Sequence, residues 1–292
     1  MKDKPIIIFD TDMDTDCDDA GALLMLINAH LRRDVTLAGV ICDSVCKYAA
    51  PFTKDVLDYY GLNIDVGEIY GHVDVDERYD DYLKHRDACQ GQAYNKMIAT
   101  DRYATVSFPS AVELYKRILQ DAKDGSITVL CVGMLTAIHE VLKENLELFR
   151  QKVCRVVIMG NPYKKNDFNF SMDAPAAQGF FELCPSPVFV SYLGGEVITG
   201  NYLDKAFPPL HPVRQAYKIW AGEGIGRSSW DLIATLFATD PSNPIFKLSD
   251  PLQLSYDERA RVSHINEGER DRIITLHCDS REAAELLNAL LV

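Results

Sequence analysis

One stretch near the amino end limits what this chain can become. Pro5 to Phe9 is a short apolar run, and it passes directly into six aspartates within ten residues, Asp10 to Asp19. An apolar run of that length bounded by polar residues is a buried strand. Beyond the acids, Ala20, Leu23, Leu24, Leu26 and Ile27 recur at helical spacing. The acids therefore lie on a loop between the carboxyl end of a strand and a helix, where open α/β sheets bind their ligands. Carboxylates packed this closely repel one another, and a bound cation relieves the repulsion. An all-oxygen donor set favours a hard ion, Ca²⁺ or Mg²⁺. An acidic loop can also be a solvated segment with helix caps, but the buried strand before this one argues against that.

The rest of the chain repeats the alternation. Val35 to Ile41, Ile127 to Val132, Val153 to Met159 and Pro187 to Tyr192 read as strands. Gly21 to His30, Ala50 to Tyr60, Ser110 to Leu119, Ala137 to Glu144, the segment opening at Trp230, and Ser280 to Val292 read as helices. Asp173 stands where a helix cap belongs, ahead of Ala174. Strands alternating with helices predict an α/β fold: a mostly parallel central sheet with helices on both faces, Rossmann-like and open. No repeat or linker divides the chain, so residues 1–292 are expected to form a single domain. The stretch Asp74 to Arg102 is highly charged and aperiodic, an excursion placed to cover a site.

The net charge of −13 argues against binding a nucleic-acid polymer or an anionic membrane. No segment approaches the roughly 18 apolar residues of a membrane span. Met1 leads straight into the first strand with no signal peptide, and none of the eight cysteines forms a Cys-x-x-Cys pair. These features predict a cytoplasmic protein with reduced thiols, in which Cys131 and Cys154 pack as small hydrophobes. There is no Gly-x-Gly-x-x-Gly or Gly-Lys-Ser/Thr to cradle a phosphate. None of the seven histidines has metalloprotease spacing. A phosphatase built on the first acidic loop would want a lysine and a Ser/Thr at later strand ends. The turn Val132-Gly133-Met134-Leu135 offers neither. The other strand ends carry oxygen and amide groups: Asp43-Ser44, the turn after Val132, and the loop from Asn161 to Asn169. Asp231 opens a late helix and is placed to join them. The pattern suits a hard cation together with a polyhydroxylated ligand.

These motifs together resemble the inosine-uridine-preferring nucleoside hydrolase family, which opens with strand-Asp-Thr-Asp-Pro-Gly-x-Asp-Asp-Ala. Asp12-Met13-Asp14-Thr15-Asp16-Cys17-Asp18-Asp19-Ala20 is similar to that opening, with Thr15-Asp16 in place of Pro-Gly. Val132-Gly133-Met134-Leu135-Thr136 resembles the family's Thr-Gly-Pro-Leu-Thr. Asp167-Phe168-Asn169 resembles its Glu-Phe-Asn, Asp173-Ala174-Pro175-Ala176-Ala177 its Asp-Pro-Glu-Ala-Ala, and Trp230-Asp231 its His-Asp. The matches fall in family order.

The resemblance implies hydrolysis of the N-glycosidic bond of a small-molecule ribonucleoside or ribosyl compound with bound Ca²⁺, in a homodimer or homotetramer. It implies Asp14 as the metal-bound general base. Asp19, Asp231 and the Val132 carbonyl would be further metal ligands. Asp18, Asp43 and Asn169 would lie at the ribose hydroxyls, Asp167 near the 5′ end, and Trp230 at the base. Two departures stand out. Trp230 replaces a histidine linked to leaving-group activation, and indole cannot deliver a proton at neutral pH. Asp43 falls near a family asparagine. Leaving-group help is then expected from the charged excursion, through His85 or Tyr82, or from a substrate with an activated leaving group. The competing reading is a protein of the same fold that binds calcium and a ribosyl ligand without turnover.

Overall fold

The computed structural model describes residues 4–14, 16–44, 46–69, 94, 98–99, 101–103 and 105–292. Most of the charged excursion, including Tyr82 and His85, lies outside the described residues. In chain order the first half gives β1 (Ile6–Thr11), α1 (Asp18–Leu31), β2 (Thr36–Cys42), α2 (Ala49–Tyr59), β3 (Val66–Glu68), α3 (Ala111–Asp121) and β4 (Ile127–Cys131). Next come α4 (Thr136–Lys152), β5 (Val153–Met159), α5 (Phe168–Met172), α6 (Ala174–Leu183), β6 (Val188–Ser191), β7 (Ile198–Thr199), α7 (Leu203–Ala206) and α8 (Pro212–Trp220). The chain closes with β8 (Arg227–Ser228), α9 (Trp230–Thr239), β9 (Phe246–Leu248), β10 (Leu252–Asp257), β11 (Val262–Leu276) and α10 (Ser280–Leu291).

The main sheet runs β10-β11-β6-β5-β4-β1-β2-β3, with β9 also pairing β11. From β3 to β11 every neighbouring pair along that path is parallel. The α/β fold with a mostly parallel central sheet is therefore as expected. Alternate residues of each strand feed opposite faces. Ile7, Phe9, Leu130 and Val157 join one core with α1, α9 and α10. Ile8, Val129, Val156 and Ile158 join the other with α3, α4 and α6. Burial on both faces explains why these strands read as unbroken apolar runs.

The register fixes where strand ends fall. Asp10 sits opposite both Ile41 of β2 and Cys131 of β4, and Met159 of β5 opposite Ser191 of β6. The loops after β1, β2, β4, β5 and β6 thus leave from one edge. The helix expected to stop at Glu144 continues to Lys152 past a kink at Asn145 (φ −133°, ψ 34°). The β10–β11 hairpin had no apolar signature, because β11 carries Glu267, Glu269, Arg270, Asp271 and Arg272. Cys131 is buried as expected, but Cys154 is exposed at the start of β5, its thiol donating to the Ile127 carbonyl at 3.2 Å. The seven described cysteines are all free thiols. No helix among the described residues is long and apolar enough to cross a membrane.

Candidate active site

The strand ends open into a cavity of about 450 Å³, a size suited to a small organic ligand. β1 delivers Asp12 to its floor. Gly133, just past β4, lets that happen: a Cβ there would lie 2.5 Å from the Asp12 backbone nitrogen, so no larger residue fits. The first turn of α1 adds Asp18 and Asp19, and the first turn of α9 adds Asp231. These elements are tied together. The Thr11 hydroxyl donates to Asp19, and the Asp231 backbone N–H donates to Asp18 Oδ2 at 3.2 Å. The side opposite α9 comes from the β4 and β5 loops. Asn169 Nδ2 donates to the carbonyls of Val132 (2.6 Å) and Met159 (3.2 Å). Asp167 caps α5 and also accepts the Asn161 N–H at 3.0 Å.

The remaining wall is aromatic and cationic. Trp220 ends α8 and Trp230 opens α9, both facing the cavity. Gly194 (φ +139°) brings its turn against α9, where a Cβ would meet the Trp230 backbone nitrogen at 2.5 Å. Arg227 lies between the two indoles. Its guanidinium carbon sits 5.0 Å from the Trp230 ring centre and 5.8 Å from the Trp220 ring centre. Its Nη2 donates to Asp16 Oδ2 at 2.9 Å, joining this wall to the acidic loop.

Burial and neighbouring acids push Asp18, Asp19 and Asp231 well above the usual carboxylate range. Burial also raises Asp167, against the backbone N–H groups that hold it. Ligand oxygens of Asp16, Asp18 and Asp19 lie within 4.8 Å of one another. All-oxygen and mutually repelling, with Asp18 and Asp19 desolvated, this set fits a hard cation, whose charge would reverse the upward shifts of those two.

Against known families, residues 7–262 match the model for inosine-uridine preferring nucleoside hydrolase. The chain belongs to this family. Its membership makes it an N-glycosyl hydrolase, with ribonucleosides the family's substrate class. No match is found among curated proteins. Solved structures agree on the fold. The inosine-uridine preferring nucleoside hydrolase of Bacillus anthracis is 15% identical, with 99% of each chain covered and a TM-score of 0.73. The purine-preferring ribonucleoside hydrolase of Gardnerella vaginalis is 17% identical over 98% of each chain, TM-score 0.71. A plant nucleoside hydrolase is also 17% identical over 98% of each chain, TM-score 0.73.

Within this nucleoside hydrolase fold, the structure brings Asp18, Asp19, Val132, Asp167, Asn169, Trp230 and Asp231 together in the lining of this cavity. Two other expected site residues are not in that lining. Asp14 is buried, is not among the lining residues, and accepts the Ser44 hydroxyl at 2.5 Å; its charge still helps raise Asp19. Asp43 also lies outside the lining. Its Oδ2 takes the Ala137 N–H in the first turn of α4 at 2.8 Å, a helix start that favours an anion. The sequence carries the reason for the first displacement. The family opening can be aligned backward from Asp18-Asp19-Ala20, giving Asp14, or forward from the strand through Asp10-Thr11-Asp12, giving Asp12. The loop is two residues longer than the motif, and the cavity receives Asp12 and the extra acid Asp16. Trp220 and Arg227 had no motif to announce them.

Proposed function

We propose that this nucleoside hydrolase cleaves the N-glycosidic bond of a ribonucleoside or related ribosyl compound with Ca²⁺ held by the acidic floor. The observation that carries the reading is the convergence of Asp12, Asp18, Asp19 and Asp231 on one cavity. These carboxylates, with the Val132 carbonyl, would hold the ion. A hard divalent cation there would supply Lewis-acid charge to the sugar hydroxyls and the water.

The chain's own groups account for the rest. Asp12 takes the proton of the attacking water, a role we move from Asp14 because Asp12 lines the cavity and Asp14 does not. Asp18 and Asn169 bind ribose hydroxyls, and Asp167 sits toward the 5′ end. As the C1′–N bond lengthens, positive charge builds on the ribose, and the surrounding carboxylates stabilise it. Trp230 packs against the base. Copies of the chain assemble as a homodimer or homotetramer, which light scattering would test.

The direct experiment removes bound metal with a chelator, restores Ca²⁺, and measures base and free ribose from a panel of nucleosides. Calcium-dependent release of both products is the expected result. A calcium-loaded, folded protein that binds ribosides and releases neither product would favour the reading without turnover.

A further inference from the structure

The family reading leaves one chemical demand without an owner. When the C1′–N bond breaks, its electron pair stays on the base. Trp230, in the place where the resemblance puts a histidine, cannot protonate it. No histidine is among the described residues that line the cavity. Among those residues, the negative charge must be met in another way.

Among the described residues, two cations line the cavity, Lys164 and Arg227. Lys164 belongs to the loop of Asp167, whose charge it faces, and so stands on the ribose side. Arg227 stands on the other side, against Trp230. Three features prepare it for a ligand. Its Nη2 is fixed by Asp16, which orients the fork. The two indoles flank the guanidinium, and aromatic faces hold that planar cation in place while limiting its access to water. Its Nε–H has no hydrogen-bond partner among the described residues while 30% of the side chain is exposed, so those residues alone do not satisfy this cavity-lining fork. Buried donors are normally satisfied, and an anionic atom of a bound ligand would satisfy this one. Asp16 belongs to the longer acidic loop, so the anchor that orients Arg227 comes with that insertion.

We infer that Arg227 receives the negative charge of the departing base, so that the leaving group departs as an anion paired with the guanidinium. This inference rests on the hydrolase reading above. In the step, the water oxygen bonds to C1′ and its proton passes to Asp12. The C1′–N pair goes to the base, which leaves as the anion. Arg227 stays protonated throughout. The base takes its proton from solvent or from Asp12 after the bond has broken. The substrate class that follows is a riboside whose leaving group delocalises negative charge onto a heteroatom, such as a pyrimidine-dione, a 6-oxopurine or a phenol. Bases that must be protonated to leave are disfavoured.

The test compares wild type, Arg227→Gln and Arg227→Lys on ribosides whose leaving groups span a range of acidity, from p-nitrophenyl riboside to uridine and inosine. For Arg227→Gln, the expected loss in kcat/KM on uridine or inosine is on the order of 10²-fold, the scale of one lost electrostatic stabiliser. The p-nitrophenyl riboside should lose far less, because its phenolate needs little help. A plot of log kcat/KM against leaving-group pKa should therefore steepen in Arg227→Gln. Arg227→Lys should fall between, and added guanidinium should restore part of the Gln variant's rate on uridine. Retained hydrolysis of the activated riboside shows that the variant is folded. Equal losses on every substrate, with an unchanged slope, would overturn the inference and leave Arg227 a structural pin for Asp16. Unchanged rates on every substrate would overturn it too. A wild-type protein that hydrolyses even the activated riboside at no measurable rate would instead sink the hydrolase reading, and the inference with it.

Discussion

The two halves of the cavity are built by different means. The acidic half joins distant segments: the aspartate-dense loop after β1, the first turn of α1, and the first turn of α9, whose Asp231 is 213 residues from Asp18. Its residues are ordered by backbone contacts such as the Asp231 N–H on Asp18. The aromatic half comes from one short stretch, Trp220, Arg227 and Trp230, joined by ring–cation contacts and one ion pair to Asp16. The halves thus differ in reach: the acidic floor needs the whole sheet to bring its residues together, whereas one short segment around the end of α8 and the start of α9 supplies the aromatic wall.

The largest effect should come from the acidic half. Asp12→Asn should keep the fold and lower kcat on the order of 10²–10⁴-fold, the usual scale of a lost general base. Asp14→Asn should cost about tenfold or less, the scale of one buried hydrogen bond. Steady-state kinetics on one confirmed substrate compares them. A larger loss at Asp14 would restore the backward alignment and break the account of the loop.

Next is the cation. Calcium at about 100 times its Kd should stabilise the protein by roughly 2.7 kcal/mol through mass action, read as a rise in Tm. Asp231→Asn should weaken calcium binding in calorimetry, while Trp230→Ala should leave it near wild type. If both variants lost calcium equally, the two halves would not be separable.

Trp230→Ala should act on the other side of the comparison. Losing one aromatic contact is worth roughly 0.5–1.5 kcal/mol, so KM should rise up to about tenfold with calcium affinity retained. An unchanged KM would mean that the indole packs without touching the ligand.

The smallest effects separate the halves by pH. Beneath the acidic half, burial pushes Asp10 from 3.8 up to about 7, although the Tyr115 hydroxyl donates to it. The folded state then holds that proton more tightly than the unfolded chain. Asp10 therefore makes calcium-free stability fall as pH rises from about 4 to 7, and Asp10→Asn should remove that slope. Behind the aromatic half, His211 caps α8, the helix that carries Trp220. Its Nδ1 accepts the Arg214 N–H at 3.2 Å, and Tyr60 meets its Nε2 at 2.7 Å. Burial, with the Arg214 charge, lowers it from 6.5 to about 4. The unfolded chain binds that proton more readily, so this stabilisation is present above 6.5 and is lost as pH falls toward 4. Chemical denaturation of His211→Gln across that window should show a flatter dependence than wild type.

How much could be read in advance follows the same division. The parallel sheet was legible because doubly buried strands are continuous apolar runs. Asp18, Asp19, Asp167, Asn169 and Asp231 were legible because each sits in a short motif at a strand end or helix start. Aspartates at every second position allow two registers, and of the two candidates Asp12 lines the cavity while Asp14 accepts the Ser44 hydroxyl. Asp43 takes the Ala137 N–H at the start of α4 and is not among the lining residues. Arg227 could not be read at all. Its partners are Asp16, 211 residues away, and two indoles whose spacing matches no periodic pattern.

The central claim is that this cavity breaks an N-ribosidic bond by addition of water. Incubation of the calcium-loaded protein with uridine and with p-nitrophenyl riboside in ¹⁸O-labelled water tests it directly. The account predicts free ribose carrying the label at C1, with one equivalent of leaving group released, and loss of both products in Asp12→Asn. Binding of either compound without release, or release with no label in the sugar, would contradict it.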